Sequence, residues 1–172
     1  MTLREVLLTD PNQSRGLAVR VAGYACESEA NFKELIRCFL SDDWRLTQRA
    51  AWSLSMAAKQ KPELLGPHIG TLVSQLRRTD VHDAVIRNTV RILEDISIPE
   101  PYHGEVMDAC FNFIQNRKTA IAIKAFSLTI LFNLSKVYPE IKKELRIIIE
   151  ENMDFETAAF RARGRKILEK IR

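Results

Sequence analysis

Apolar positions along the chain return with the three-to-four-residue period of a single helix face. The clearest runs are Ile86, Val90 and Leu93; Ile123, Phe126, Ile130 and Leu134; and Phe160, Ile167 and Ile171. Each run predicts a helix with one buried side. Polar clusters stand before them: Asp10, then Asp42 and Asp43, Asp80 and Asp83, Asn116 and Thr119, and Asp154 and Thr157. Short side-chain acceptors of this kind take up the unpaired N–H groups of a first helical turn, and a carboxylate there suits the positive end of the helix dipole. A second kind of punctuation is Pro62-Glu63, Pro99-Glu100 and Pro139-Glu140, at intervals of 37 and 40 residues, with Ser28-Glu29 in the same place one repeat earlier. Proline has no N–H to lose in a first turn, so these pairs restart a helix.

The two marks alternate and so predict two types of helix. First-type helices are expected near 2–8, 28–40, 62–78, 100–116 and 139–152, with Gly66-Pro67 breaking the third in two. Second-type helices are expected near 11–26, 43–60, 81–97, 117–137 and 155–172. A basic residue recurs inside the second type at Arg15, Arg49, Arg87, Lys124 and Arg161, at intervals of 34, 38, 37 and 37 residues. A period of this length marks stacked helical hairpins, each burying its apolar side against its neighbours. The expected fold class is all-α, an α-α superhelix (solenoid) of about five helical hairpins forming one domain over residues 1–172. Small residues near the basic positions, among them Gly16, Ala18, Ala50, Ala51, Ala125, Ala162 and Gly164, would let helices approach closely. Trp44 and Trp52 read as packing residues.

The stretch Phe39-Leu40-Ser41-Asp42-Asp43, followed by Gln48-Arg49-Ala50-Ala51, resembles the HEAT repeat family. Its units carry an Asp before the second helix and an Arg within it, places filled here by Asp43 and Arg49. The resemblance implies a ladder of such residues linking neighbouring repeats. Gln48 replaces an expected apolar residue, and the fourth copy has Asn116 and Lys124 in place of Asp and Arg. HEAT-like DNA glycosylases of the alkylation-repair type are also similar locally around Gln48-Arg49-Ala50-Ala51, which would bring Arg49 near DNA. The aspartate and aromatic residues of their pocket are not matched: Asp10 has no tryptophan beside it, and no aromatic stands near Arg87-Asn88-Thr89.

Charge changes the picture. The net charge is only +4, yet the second-type segments together carry +11 and the remainder −7. In a HEAT-like solenoid the second helices line the concave side, so a basic inner surface is expected, one that draws acidic protein surfaces or polyanions. The partner-binding candidates are Arg45, Arg49, Arg87, Arg91, Lys124, Arg161 and Arg165. The alternative is that the row is an internal Asp-Arg ladder. The last segment is the most basic, with Arg161, Arg163, Arg165, Lys166, Lys170 and Arg172, and reads first as a solvated cap, with a binding patch as the alternative.

No catalytic, cofactor-binding or metal-binding set is recognisable, and a role other than catalysis is favoured. Cys26, Cys38 and Cys110 are scattered and read as buried thiols; His68, His82 and His103 share no ligand spacing and read as surface or turn residues. The first ten residues lack the apolar core of a secretory signal and no segment suits a membrane span, so a cytoplasmic site is the default. The leading expectation is an interaction module, scaffold or adaptor, that binds a protein partner with an acidic surface. A nucleic-acid-binding protein is the alternative.

Overall fold

The computed structural model describes residues 1–171 as α-helices joined by short turns, with no strand among them. The helices are α1 (Leu3–Thr9), α2 (Arg15–Ala25), α3 (Glu29–Phe39), α4 (Trp44–Gln60), α5 (Pro62–Leu65), α6 (Ile69–Gln75), α7 (Asp83–Glu94), α8 (His103–Gln115), α9 (Ile121–Ser135), α10 (Lys142–Asn152) and α11 (Ala158–Lys170). First-type helices are α1, α3, the α5–α6 pair, α8 and α10; second-type helices are α2, α4, α7, α9 and α11. Between α5 and α6 the backbone tightens into a 3₁₀ turn at Gly66–His68, the break expected at Gly66-Pro67. Pro62 opens α5, whereas the turns at Pro99 and Pro139 are 3₁₀ segments that precede α8 and α10.

The helices gather into two compact units, Met1–Ile92 and Leu93–Arg172, with the boundary in the last turn of α7. In the first unit α4 packs against α1, α2 and α3 around Leu7, Phe32, Leu35, Phe39, Leu46 and Leu54, each at most 2% exposed. In the second, α9 packs against α8 and α11 around Val106, Leu128, Leu131 and Phe160. Each such side chain contributes about 1.5–3 kcal/mol through burial, and that packing, more than helix propensity, holds the short helices in place.

Helix starts follow the cap chemistry unevenly. Asp43 accepts from the N–H groups of Arg45 and Leu46 at 3.1 and 3.4 Å, and Thr157 from that of Phe160 at 3.4 Å. Two expected starts are corrected. Asp10 ends α1 instead of opening α2: its carboxylate accepts from Asn12 N–H at 3.0 Å and holds a turn, and Ser14 caps α2. Asn116 likewise closes a turn by accepting from Lys118 N–H at 2.9 Å, so α9 starts at Ile121 behind Ala120 without a side-chain cap. A third, α7, opens at Asp83 as expected; ahead of it the ring of His82 accepts from Ala84 N–H through Nδ1 at 3.1 Å, while Asp80 pairs with Arg78 at 2.9 Å.

Of the two glycines among the small residues expected at helix crossings, Gly164 is the one without room for a Cβ. A Cβ built on it would lie 2.9 Å from Ile149 Cγ2 and 3.2 Å from the Met153 sulfur, so α11 meets α10 there at its glycine. Gly164→Val should cost roughly 2–3 kcal/mol through overpacking, with Gly23→Val, where open space surrounds the Cβ, as the mild comparison. Equal losses in denaturant melts would show that the α10–α11 crossing is looser than described.

Candidate interaction surface

The first unit holds four of the candidate cations. Arg45 sits on the first turn of α4, exposed, with its guanidinium carbon 6.0 Å from the centre of the Trp44 ring. Arg49, one turn on and half-buried, faces inward: Nη1 donates to the carbonyl of Leu7 at 2.7 Å and to that of Asp10. Those carbonyls lie at the negative end of α1, where a guanidinium is favoured. The rung implied by the HEAT resemblance is thus present but built differently, since Arg49 grips backbone oxygens of the preceding pair while Asp43 caps α4 and pairs with Arg4 at 3.2 Å. On α7, Arg87 is half-buried and Arg91 exposed, and neither meets a carboxylate among the described residues.

Trp44 departs from its expected packing role. It is 51% exposed and lies flat against His82 with ring centres 5.7 Å apart, because it is the first residue of α4, outside the buried stripe; Trp52, two turns on, is half-buried. His68 is half-buried on Phe32, ring centres 5.9 Å apart. Burial, with Lys33 nearby, lowers its basicity below the usual 6.5. As pH falls the unfolded chain takes up this proton before the native one, so stability rises with pH between the lowered native value and 6.5 and is lost on acidification through that window. His68→Phe, which keeps the stack, should flatten the fall of melting temperature between about pH 7 and about pH 5. An unchanged slope would assign that sensitivity elsewhere.

The second unit separates its cations more sharply. Lys124 is buried, 4% exposed, and its ammonium donates to Glu156 Oε1 at 2.6 Å across the turn before α11. It is an internal rung, not a contact residue. Arg161 and Arg165 are exposed, on a side of α11 roughly 140° or more from Lys170 by helical phase. Arg163 turns inward instead: Nη1 donates to Glu94, the last residue of α7, at 2.7 Å and, on α9, to Thr129 Oγ1 at 2.8 Å and the Ala125 carbonyl at 3.4 Å, with the guanidinium carbon 5.0 Å from the Phe126 ring centre. Near the ends of α9 and α11, Lys136 and Lys170 converge on the Phe132 ring, their ammonium nitrogens 4.7 and 5.8 Å from its centre. A pattern of recurring arginines does not reveal this pair, which two helices assemble from the ends of separate repeats. The aromatic at Phe132, four residues before the C-cap Lys136, was the available signal.

His103 is also reassigned. It is 8% exposed; Nε2 donates to the Ile98 carbonyl at 2.6 Å, which leaves Nδ1 to accept from the Tyr138 hydroxyl at 3.0 Å. Its place in the first turn of α8, against the start of the next pair, makes it a structural tie. Cys38 and Cys110 are buried as expected, but Cys26 is only half-buried, its thiol donating to the Ala57 carbonyl at 3.7 Å. Among the described residues no group of three or more His, Cys, Asp and Glu could hold a metal ion, and no helix is long and apolar enough to cross a membrane.

The sequence profile of the HEAT repeat domain matches residues 11–171. The chain belongs to the HEAT repeat family. The two types of helix, their repeat length and the rungs at Arg49 and Lys124 are this chain's version of the HEAT unit, a helical-repeat scaffold. Among solved structures, the crystal structure of an engineered protein is similar, with a TM-score of 0.61 at 19% identity, over 99% of this chain and 81% of that one. At that identity the likeness is one of fold. No curated protein matches significantly.

Proposed function

We propose that this HEAT-repeat chain is a non-catalytic scaffold or adaptor that binds an acidic protein partner through exposed basic residues of its second-type helices. The observation that supports this reading is the division of the basic residues between two duties. Arg49 and Lys124 serve the fold through Leu7, Asp10 and Glu156. Arg45, Arg91, Arg161 and Arg165 are exposed and Arg87 is half-buried, all without a carboxylate partner among the described residues. Cations that the fold leaves unneutralised create a positive field that steers acidic surfaces and sets which partners are rejected.

The experiment is a capture with the full chain followed by identification of the bound protein. Arg45→Glu/Arg87→Glu/Arg91→Glu should lose that partner while melting at the same temperature as the parent. Retention of the partner would overturn the reading. Nucleic acid is distinguished by salt, because phosphate contacts release counterions and weaken steeply as salt rises. Tight, salt-sensitive binding of DNA or RNA in place of a protein would move the assignment to that class.

A further inference from the structure

The clearest concentration of unneutralised charge lies outside the arginine row, where Lys136 and Lys170 reach the Phe132 ring from the ends of two adjacent second-type helices. Both ammonium groups stand within cation–π range of one ring, which places them on the order of 10 Å apart or less. Lys166 is exposed one turn before Lys170, on the same side of α11. None of the three lysines has a carboxylate partner among the described residues. Glu94, which reaches α11, is already held by Arg163 and offers little compensation, its side chain 14% exposed. Like charges have therefore been gathered and left unpaired. Phe132 holds two of them, since the ring attracts each ammonium without neutralising it.

We propose that Lys136, Lys166 and Lys170 anchor a short run of aspartate or glutamate residues in the partner, seated over Phe132. The inference rests on the acidic-partner reading above and gives that partner its chemistry. In an extended peptide, alternate side chains lie about 7 Å apart on one side, a spacing that lets two carboxylates meet two ammonium groups this close together. Nucleic acid fits less well. Three ammonium groups fall short of the roughly 6–10 phosphate contacts of a typical duplex-binding protein, and the Phe132 ring, already engaged by two lysines, is a poor platform for a stacked base.

The test is fluorescence anisotropy at low salt with a labelled dodeca-glutamate peptide, a single-stranded DNA and a duplex DNA of the same length as probes. Lys136→Gln/Lys170→Gln should weaken the peptide about tenfold, and Phe132→Leu about threefold, by releasing the lysines while keeping an apolar side chain. Lys33→Gln/Arg37→Gln removes the same charge from α3 and should change the affinity by less than about twofold. Glutamine keeps the side chains polar and the helix ends intact, and thermal melts confirm that each variant is folded. Equal losses in the two double variants would overturn the anchor, as would tighter binding of either DNA than of the peptide. If the captured partner is lost with the α4 and α7 reversals but kept by Lys136→Gln/Lys170→Gln, the anchor alone fails. If it survives both, the acidic-partner reading fails with it.

Discussion

Ala51→Asp is expected to leave the chain without a cooperative unfolding transition. Ala51 is 2% exposed and its neighbour Ala50 is fully buried, both on α4 where it packs against α1, α2 and α3. A carboxylate there would be desolvated among apolar side chains at a cost of several kcal/mol, a large share of the 5–15 kcal/mol that holds a typical domain together. Circular dichroism during urea titration should show a broad, early loss of helix. Ala51→Ser, with a small hydroxyl able to reach the carbonyl one turn back, should cost only about 1 kcal/mol and retain a sharp transition. A parent-like midpoint for Ala51→Asp would mean that α4 does not pack as described.

The second large effect is expected at the rung between Lys124 and Glu156, whose side chains are 5% and 11% exposed. Glu156→Leu strands the Lys124 ammonium in an apolar setting, and the loss should reach about 3–5 kcal/mol. Lys124→Met/Glu156→Leu removes both charges and should recover most of that stability, because a buried ion pair barely repays its own desolvation. The double-mutant cycle in denaturant separates the two cases. A small loss in Glu156→Leu would show that Lys124 reaches water and would return it to the pool of contact cations.

Much of the fold was legible because its signals are local. Apolar periodicity set the helices, and the Pro-Glu pairs together with Asp43 and Thr157 set several of their starts. A polar residue with two local uses misleads: Asp10 and Asn116 close turns with the residue two positions on, which pushes α2 and α9 later than their clusters suggest. The surface was less legible for a different reason. Whether a basic side chain faces water depends on what the next pair of helices brings to it, which spacing does not encode. Arg49 finds carbonyls 42 and 39 positions earlier, Lys124 a glutamate 32 positions later, and Arg163 a glutamate 69 positions earlier, while Arg161, two residues away, finds none. His103 was missed on the same account, since its ties to Ile98 and Tyr138 exist only once α8 docks.

The two buried thiols, Cys38 at 6% exposure and Cys110 at 0%, give the molecule an internal pair of gauges. Burial drives the Cys38 sulfhydryl up to about 11 and that of Cys110 up to about 12, so near neutral pH almost none of either is in the reactive anionic form. One belongs to each compact unit. Alkylation at these sulfurs must therefore wait for the surrounding helices to open, and the two rates, resolved by mass, clock the breathing of each half of the chain with no engineered cysteine.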